Sequence, residues 1–110
     1  MDRNYQLIDD LIATMEIPED GILTRTLHDD ENLKVILFGF SPGQELSEHT
    51  AAMPAVMHFL QGEADITLEN DQKTVTAGAW VHMSANMPHS VHAKTPVAML
   101  LSMLKSAKKE

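Results

Sequence analysis

Two histidines, His49 and His89, stand forty positions apart, each beside glycine and proline turn signals that separate short strand-like runs. An imidazole nitrogen can take a proton, accept or donate a hydrogen bond, or ligate zinc, nickel, copper or iron. His49 closes the run SPGQELSEH that begins at Ser41, and His89 follows the run GAWVHMSANMP that begins at Gly78. The chain has no cysteine, which excludes disulfides, thiolate metal sites, redox dithiols and cysteine nucleophiles. Chemistry therefore falls to histidine, carboxylate, amide, hydroxyl or thioether groups. Spacing places no carboxylate behind either histidine, so nothing resembles a Ser-His-Asp arrangement, and no glycine-rich phosphate loop is present.

Short strands must carry these histidines. From Gly21 onward the apolar residues fall into brief runs bounded by turn residues, which argues for an antiparallel sandwich or barrel. The expected strands are Ile22–Leu27, Leu33–Phe40, Glu45–Thr50, Ala55–Gln61, Glu63–Glu69, Lys73–Thr76, Trp80–Ser84, His89–Ala93 and Val97–Leu104. Alternation is clearest where Ala64, Ile66 and Leu68 share one face and Glu63, Asp65, Thr67 and Glu69 the other. Gly62 and the pair Asn70–Asp71 mark the ends of that strand as turns. Upstream, Leu7, Ile8, Leu11, Ile12 and Met15 have the spacing of a short amphipathic helix or an irregular strap. Residues 1–20 are thus read as an N-terminal strap and residues 21–110 as the barrel.

At 110 residues the chain supports a single core. Its 16 acidic and 8 basic residues leave a formal charge of −8, a field that repels phosphate backbones and anionic headgroups, so neither nucleic acid nor membrane is expected as a partner. No apolar stretch approaches a membrane span and no leader pattern opens the chain, which makes a cytoplasmic location the expectation. The last strand is apolar on both faces, with Val97, Met99, Leu101 and Met103 on one and Ala98, Leu100 and Leu104 on the other. Its outer face must meet either a second subunit, giving a homodimer, or the N-terminal segment.

The two histidine segments resemble the paired signature motifs of the cupin family over roughly residues 35 to 104. The first motif of that family reads Gly, five residues, His-x-His, three or four residues, Glu, six residues, Gly; the second reads Gly, five residues, Pro-x-Gly, two residues, His, three residues, Asn. Gly43, His49 and Gly62 keep the first frame, and Gly78 and His89 keep the second, with Pro88 matching the turn that presents the last ligand. Ala51 stands where the second histidine belongs and Ala55 where the glutamate belongs. Ser84, Asn86 and Ala93 replace the proline, glycine and asparagine. The resemblance implies an all-β fold, a double-stranded β-helix or jelly-roll barrel, a homodimer, and an interior that often holds one metal ion.

Here two of the four usual ligands are methyl groups. His49 and His89 are the remaining metal candidates, for a weakly held divalent transition metal (zinc, nickel, iron, copper or manganese). The same two rings, with Ala51, Ala55, Met57, Phe59 and Met83, would otherwise line a ligand pocket. Side chains two apart on a strand share a face, so Ala55, Met57 and Phe59 should point inward and His58 outward. On a regular strand Glu45 shares a face with His49 but lies about 13 Å away, beyond reach of a shared ion. Glu48, Thr50 and His92 should face away from the pair. His28, His82 and the acidic run Asp29–Asp30–Glu31 read as packing, surface or solvated turn residues, and Trp80 as an anchor of the barrel wall or mouth. Three functions fit: a small-molecule-binding or sensing barrel, a metal-dependent oxygenase or isomerase, and a structural dimer with a vestigial pocket.

Overall fold

In the computed structural model, which describes residues 4–105, nine strands build two antiparallel sheets. They are β1 (Ile22–Asp29), β2 (Leu33–Phe40), β3 (Glu45–His49), β4 (Ala55–Gln61), β5 (Glu63–Leu68), β6 (Asp71–Thr76), β7 (Trp80–Met83), β8 (His89–Ala93) and β9 (Val97–Leu104). One sheet has the order β1-β2-β9-β4-β7 and the other β3-β8-β5-β6. This is the expected all-β jelly-roll barrel. The inward residues follow the alternation: Phe38 and Phe40 on β2, Ala55, Met57 and Phe59 on β4, Ala64 and Ile66 on β5, Val91 and Ala93 on β8, and Val97 and Met99 on β9 form one buried cluster. Each large side chain so buried contributes roughly 1.5–3 kcal/mol, and this contact between the sheets holds the strands in register.

Before β1 the chain runs as an irregular strap containing one helical turn, α1 (Leu11–Thr14), whose N-cap Asp10 accepts from the Ala13 N–H at 3.1 Å. The strap crosses the outer face of the five-stranded sheet at Gly39. A Cβ there would come within 2.7 Å of the flexible Met15 Cε and 3.1 Å of the Glu16 carbonyl oxygen, so the strap lies in close contact with the sheet at Gly39. Leu37 and Ala98, on the same face, are completely buried, whereas Leu104 at the end of β9 is 37% exposed. The strap thus covers part of the outer face of β9. The ends of both expected segments, residues 1–3 and 106–110, lie outside the described residues.

Two local expectations change. The β5–β6 hairpin turns at Glu69–Asn70, one residue before the expected pair, with Leu68 opposite Asp71 and Glu69 at φ 58°. The full pairing of β6 back to Asp71 forces the turn into the two residues left over. His28 is not a solvated turn residue. A register shift between Thr26 and His28 sets it on β1 opposite Val35, where its Nδ1 lies 3.1 Å from Gln6 Oε1 and its Nε2 2.6 Å from Asp30 Oδ2. Asp30 Oδ1 accepts from the Asn32 and Leu33 N–H groups at 2.7 and 2.8 Å, so part of the acidic run caps a turn.

Two measurements check this account. Gly62 has φ 91°, and an added Cβ would collide with the Pro96 carbonyl. Gly62→Ala is expected to lose more than about 2 kcal/mol in urea unfolding, from backbone strain plus the clash. The bond of Asp30 to His28, then those from the Asn32 and Leu33 N–H groups, lower the Asp30 pKa from 3.8 to about 2. A depressed folded-state pKa means stability that is present above the unfolded value and lost as the pH falls through the folded one. The melting temperature of Asp30→Ala should therefore lie below that of the parent above about pH 4, and the gap should close as the pH approaches about 2.

Candidate functional site

His49 and His89 meet at one end of the barrel. They are directly opposed on β3 and β8, and their ring centroids are 4.2 Å apart at an interplanar angle of 61°. A bulge makes this possible. Leu46 pairs with Val91 and His49 with His89, so Ser47 and Glu48 together oppose the single residue Ser90. On a regular strand, three positions separate opposite faces; with the extra residue, Leu46 and His49 both face inward. Glu45 is thereby turned outward, opposite His92. This corrects the regular-strand expectation that Glu45 shares the face of His49.

Local backbone fixes both rings. His49 Nδ1 lies 2.7 Å from the Ser47 carbonyl and His89 Nδ1 lies 2.9 Å from the Met87 carbonyl, each two residues back. A carbonyl only accepts, so each Nδ1 carries the proton and each neutral ring keeps its lone pair at Nε2. The bulge frees the Ser47 carbonyl for this bond. His89 is 7% exposed and His49 is exposed, so the pair sits at the mouth with His89 beneath. Among the described residues no buried side-chain nitrogen lacks a partner, and His89 Nε2 bonds no protein atom, so that nitrogen opens to solvent.

The loops beside the pair are tied together. Asn86 adopts φ 66°, the left-handed conformation that glycine supplies at the matching motif position and that asparagine also tolerates. Its backbone N–H donates to the Ala51 carbonyl at 2.7 Å, joining the β7–β8 loop to the β3–β4 loop. Ala51 is half-buried in that loop.

The other residues named from sequence separate into two groups. Ala55, Met57, Phe59 and Met83 point inward and at 1–4% exposure belong to the closed core, whereas His49 is exposed, Ala51 half-buried and His89 7% exposed. His58 faces outward, in register with Trp80 and Leu100; His82 and His92 are exposed. Trp80 is 63% exposed on the outer face and anchors no wall. A groove of about 420 Å³ between the strap and the five-stranded sheet was not visible in the sequence. Its one signal is the apolar content of the strap at Ile8 and Leu11.

Two imidazoles are half of a metal shell. The remaining family positions carry the methyl groups of Ala51 and Ala55, and among the described residues no group of three His, Asp or Glu side chains gathers that could hold an ion. The residues present do not fit a resident, fully coordinated transition metal. Nor is there a carboxylate behind either ring: backbone carbonyls occupy that place, so the pair lacks the orienting acid of a catalytic triad.

Among solved structures, a conserved protein of unknown function from Streptococcus pyogenes is 30% identical with a TM-score of 0.82, the match covering all of this chain and 92% of that one. A cupin superfamily protein from Desulfitobacterium hafniense gives 24% identity and a TM-score of 0.82 over 94% of each chain. A cupin 2 conserved barrel domain protein from Leptotrichia buccalis gives 29% identity and a TM-score of 0.79, over 86% of this chain and 46% of that one. No curated protein matches. No described helix is long and apolar enough to cross a membrane. The family model for the cupin domain matches residues 36–103, nearly the span of β2 to β9 that carries the opposed histidines, and the chain belongs to the cupin family.

Proposed function

We propose that this cupin is a small-molecule-binding protein whose ligand is held at the barrel mouth by His49 and His89, and that it is not a metal enzyme. The observation that carries this reading is the shared bonding pattern: both Nδ1 atoms donate to backbone carbonyls, which leaves two Nε2 acceptors on rings whose centroids are 4.2 Å apart. A molecule bearing two neighbouring hydroxyl groups matches that pair of acceptors. The closed apolar core behind them favours a compact ligand that stays at the mouth. Catalysis is disfavoured because a third ligand and an orienting carboxylate are both missing.

Zinc titration separates the readings. Protein prepared without a histidine tag should contain far less than one transition metal per chain. Added zinc should raise the melting temperature only slightly, an effect that disappears in His49→Ala/His89→Ala. A vicinal diol such as catechol should shift the imidazole NMR signals of both histidines and bind the double variant about tenfold more weakly or less. Stoichiometric, tightly held metal would replace this reading with the oxygenase or isomerase one; failure of every hydroxylated probe to shift either ring would leave the pocket vestigial.

We also propose a homodimer through the part of the outer sheet face that the strap leaves uncovered. Trp80 stands 63% exposed on the edge strand β7 with His58 beside it on β4, and Leu104, on the outer face at the end of β9, is 37% exposed. A large exposed aromatic on such a face is the composition of an interface core. Light scattering at micromolar concentration should give a dimer mass, and Trp80→Glu a monomer with an unchanged circular dichroism spectrum. A parent protein of monomer mass would refute the dimer.

A further inference from the structure

The cavity of about 420 Å³ beneath the N-terminal strap lies on the opposite side of the five-stranded sheet from the barrel interior. Its floor is the outer face of that sheet, from Leu33 and Val35 on β2 to Leu100 on β9, and its roof includes Ile8 and Leu11 of the strap. A volume of this size falls in the range of pockets for small organic molecules. The lining contains no aspartate, glutamate, lysine or arginine. Its one basic side chain, His28, is already engaged by the Asp30 carboxylate at 2.6 Å.

Polar groups collect at one end. Gln6 donates an Nε2 hydrogen to the Leu27 carbonyl at 2.8 Å, which fixes its amide so that Oε1 faces His28 Nδ1 at 3.1 Å. The same amide carries a second N–H, and Tyr5, next to it in the chain, also lines the groove. We propose that this groove is a second binding site, for an uncharged, largely apolar small molecule that carries one hydrogen-bond acceptor such as a ketone, ester or amide. Charge selects against the alternatives. An anion would enter the field of a chain with net charge −8 and find only a histidine already paired, and a cation would find no carboxylate in the lining. The apolar body of the ligand would lie between Val35, Leu100 and Ile8, with its acceptor toward Gln6 and Tyr5. This site is independent of the barrel mouth.

Nile red, an uncharged planar dye with a carbonyl acceptor, tests the proposal by fluorescence titration of the whole chain. One saturable site per chain is expected. Ile8→Trp, on the strap and outside every strand, fills the groove without touching sheet pairing and should weaken binding by about tenfold or more. Val35→Phe should do the same from the floor. His49→Ala/His89→Ala should leave dye affinity within about twofold of the parent. Dye affinity unchanged in a folded Ile8→Trp protein overturns the proposal. So does loss of binding in the double histidine variant, which would place the dye at the barrel mouth. A stoichiometry of one dye per two chains that falls on dilution also overturns it, because the groove would then be a subunit interface.

Discussion

The parity of a β-strand governs where chemistry can occur in this molecule. Side chains alternate strictly, so whether a histidine reaches the barrel interior is settled by the count of residues between it and the last inward neighbour. On β8 the count is regular, and His89, Val91 and Ala93 all point inward. On β3 it is not: one additional residue at Ser47–Glu48 restores His49 to the face of Leu46 and opposite His89. The same bulge releases the Ser47 carbonyl from sheet pairing, and that carbonyl sets the tautomer of the ring it delivers. Position and protonation pattern thus share a single cause.

Most of the fold was legible because the core is made of alternating strands. β2, β4, β8 and β9 have the boundaries that turn residues and alternation indicate, and the inward row Ala55, Met57, Phe59 is the one that the parity of β4 requires. What escaped was set by interactions distant in sequence. The placement of His28 depends on Gln6, twenty-two residues earlier, and on a register shift in β1. The outer face of β9 showed in sequence only that something covers it; that the strap takes part shows in the close approach of Met15 and Glu16 to Gly39, more than twenty residues later in the chain.

The meeting of His49 and His89 was legible in the sequence, and the packing beneath them was not. Spacing identified His49 and His89, and their opposition at 4.2 Å agrees with both lying in one place. A pocket reaching down to Met57, Phe59 and Met83 was a reasonable expectation from composition, since methionine fills irregular space. Packing removes it. Those side chains close against Phe40, Ile66 and Val91, leaving the histidines above a filled core. Alanines at the missing ligand positions are therefore not simply a larger cavity: Ala55 is sealed into that core, and only Ala51 remains near the opening.

Replacing a charged ligand by a methyl group changes more than coordination number. A glutamate at position 55 would be a carboxylate inside an apolar cluster, tolerable chiefly when paired with a cation or with protonated partners. With alanine there, the core carries no charge for a cation to balance, and backbone carbonyls take up the Nδ1 of each imidazole. The barrel is then electrically complete without an ion, and its Nε2 atoms are left facing outward at the mouth.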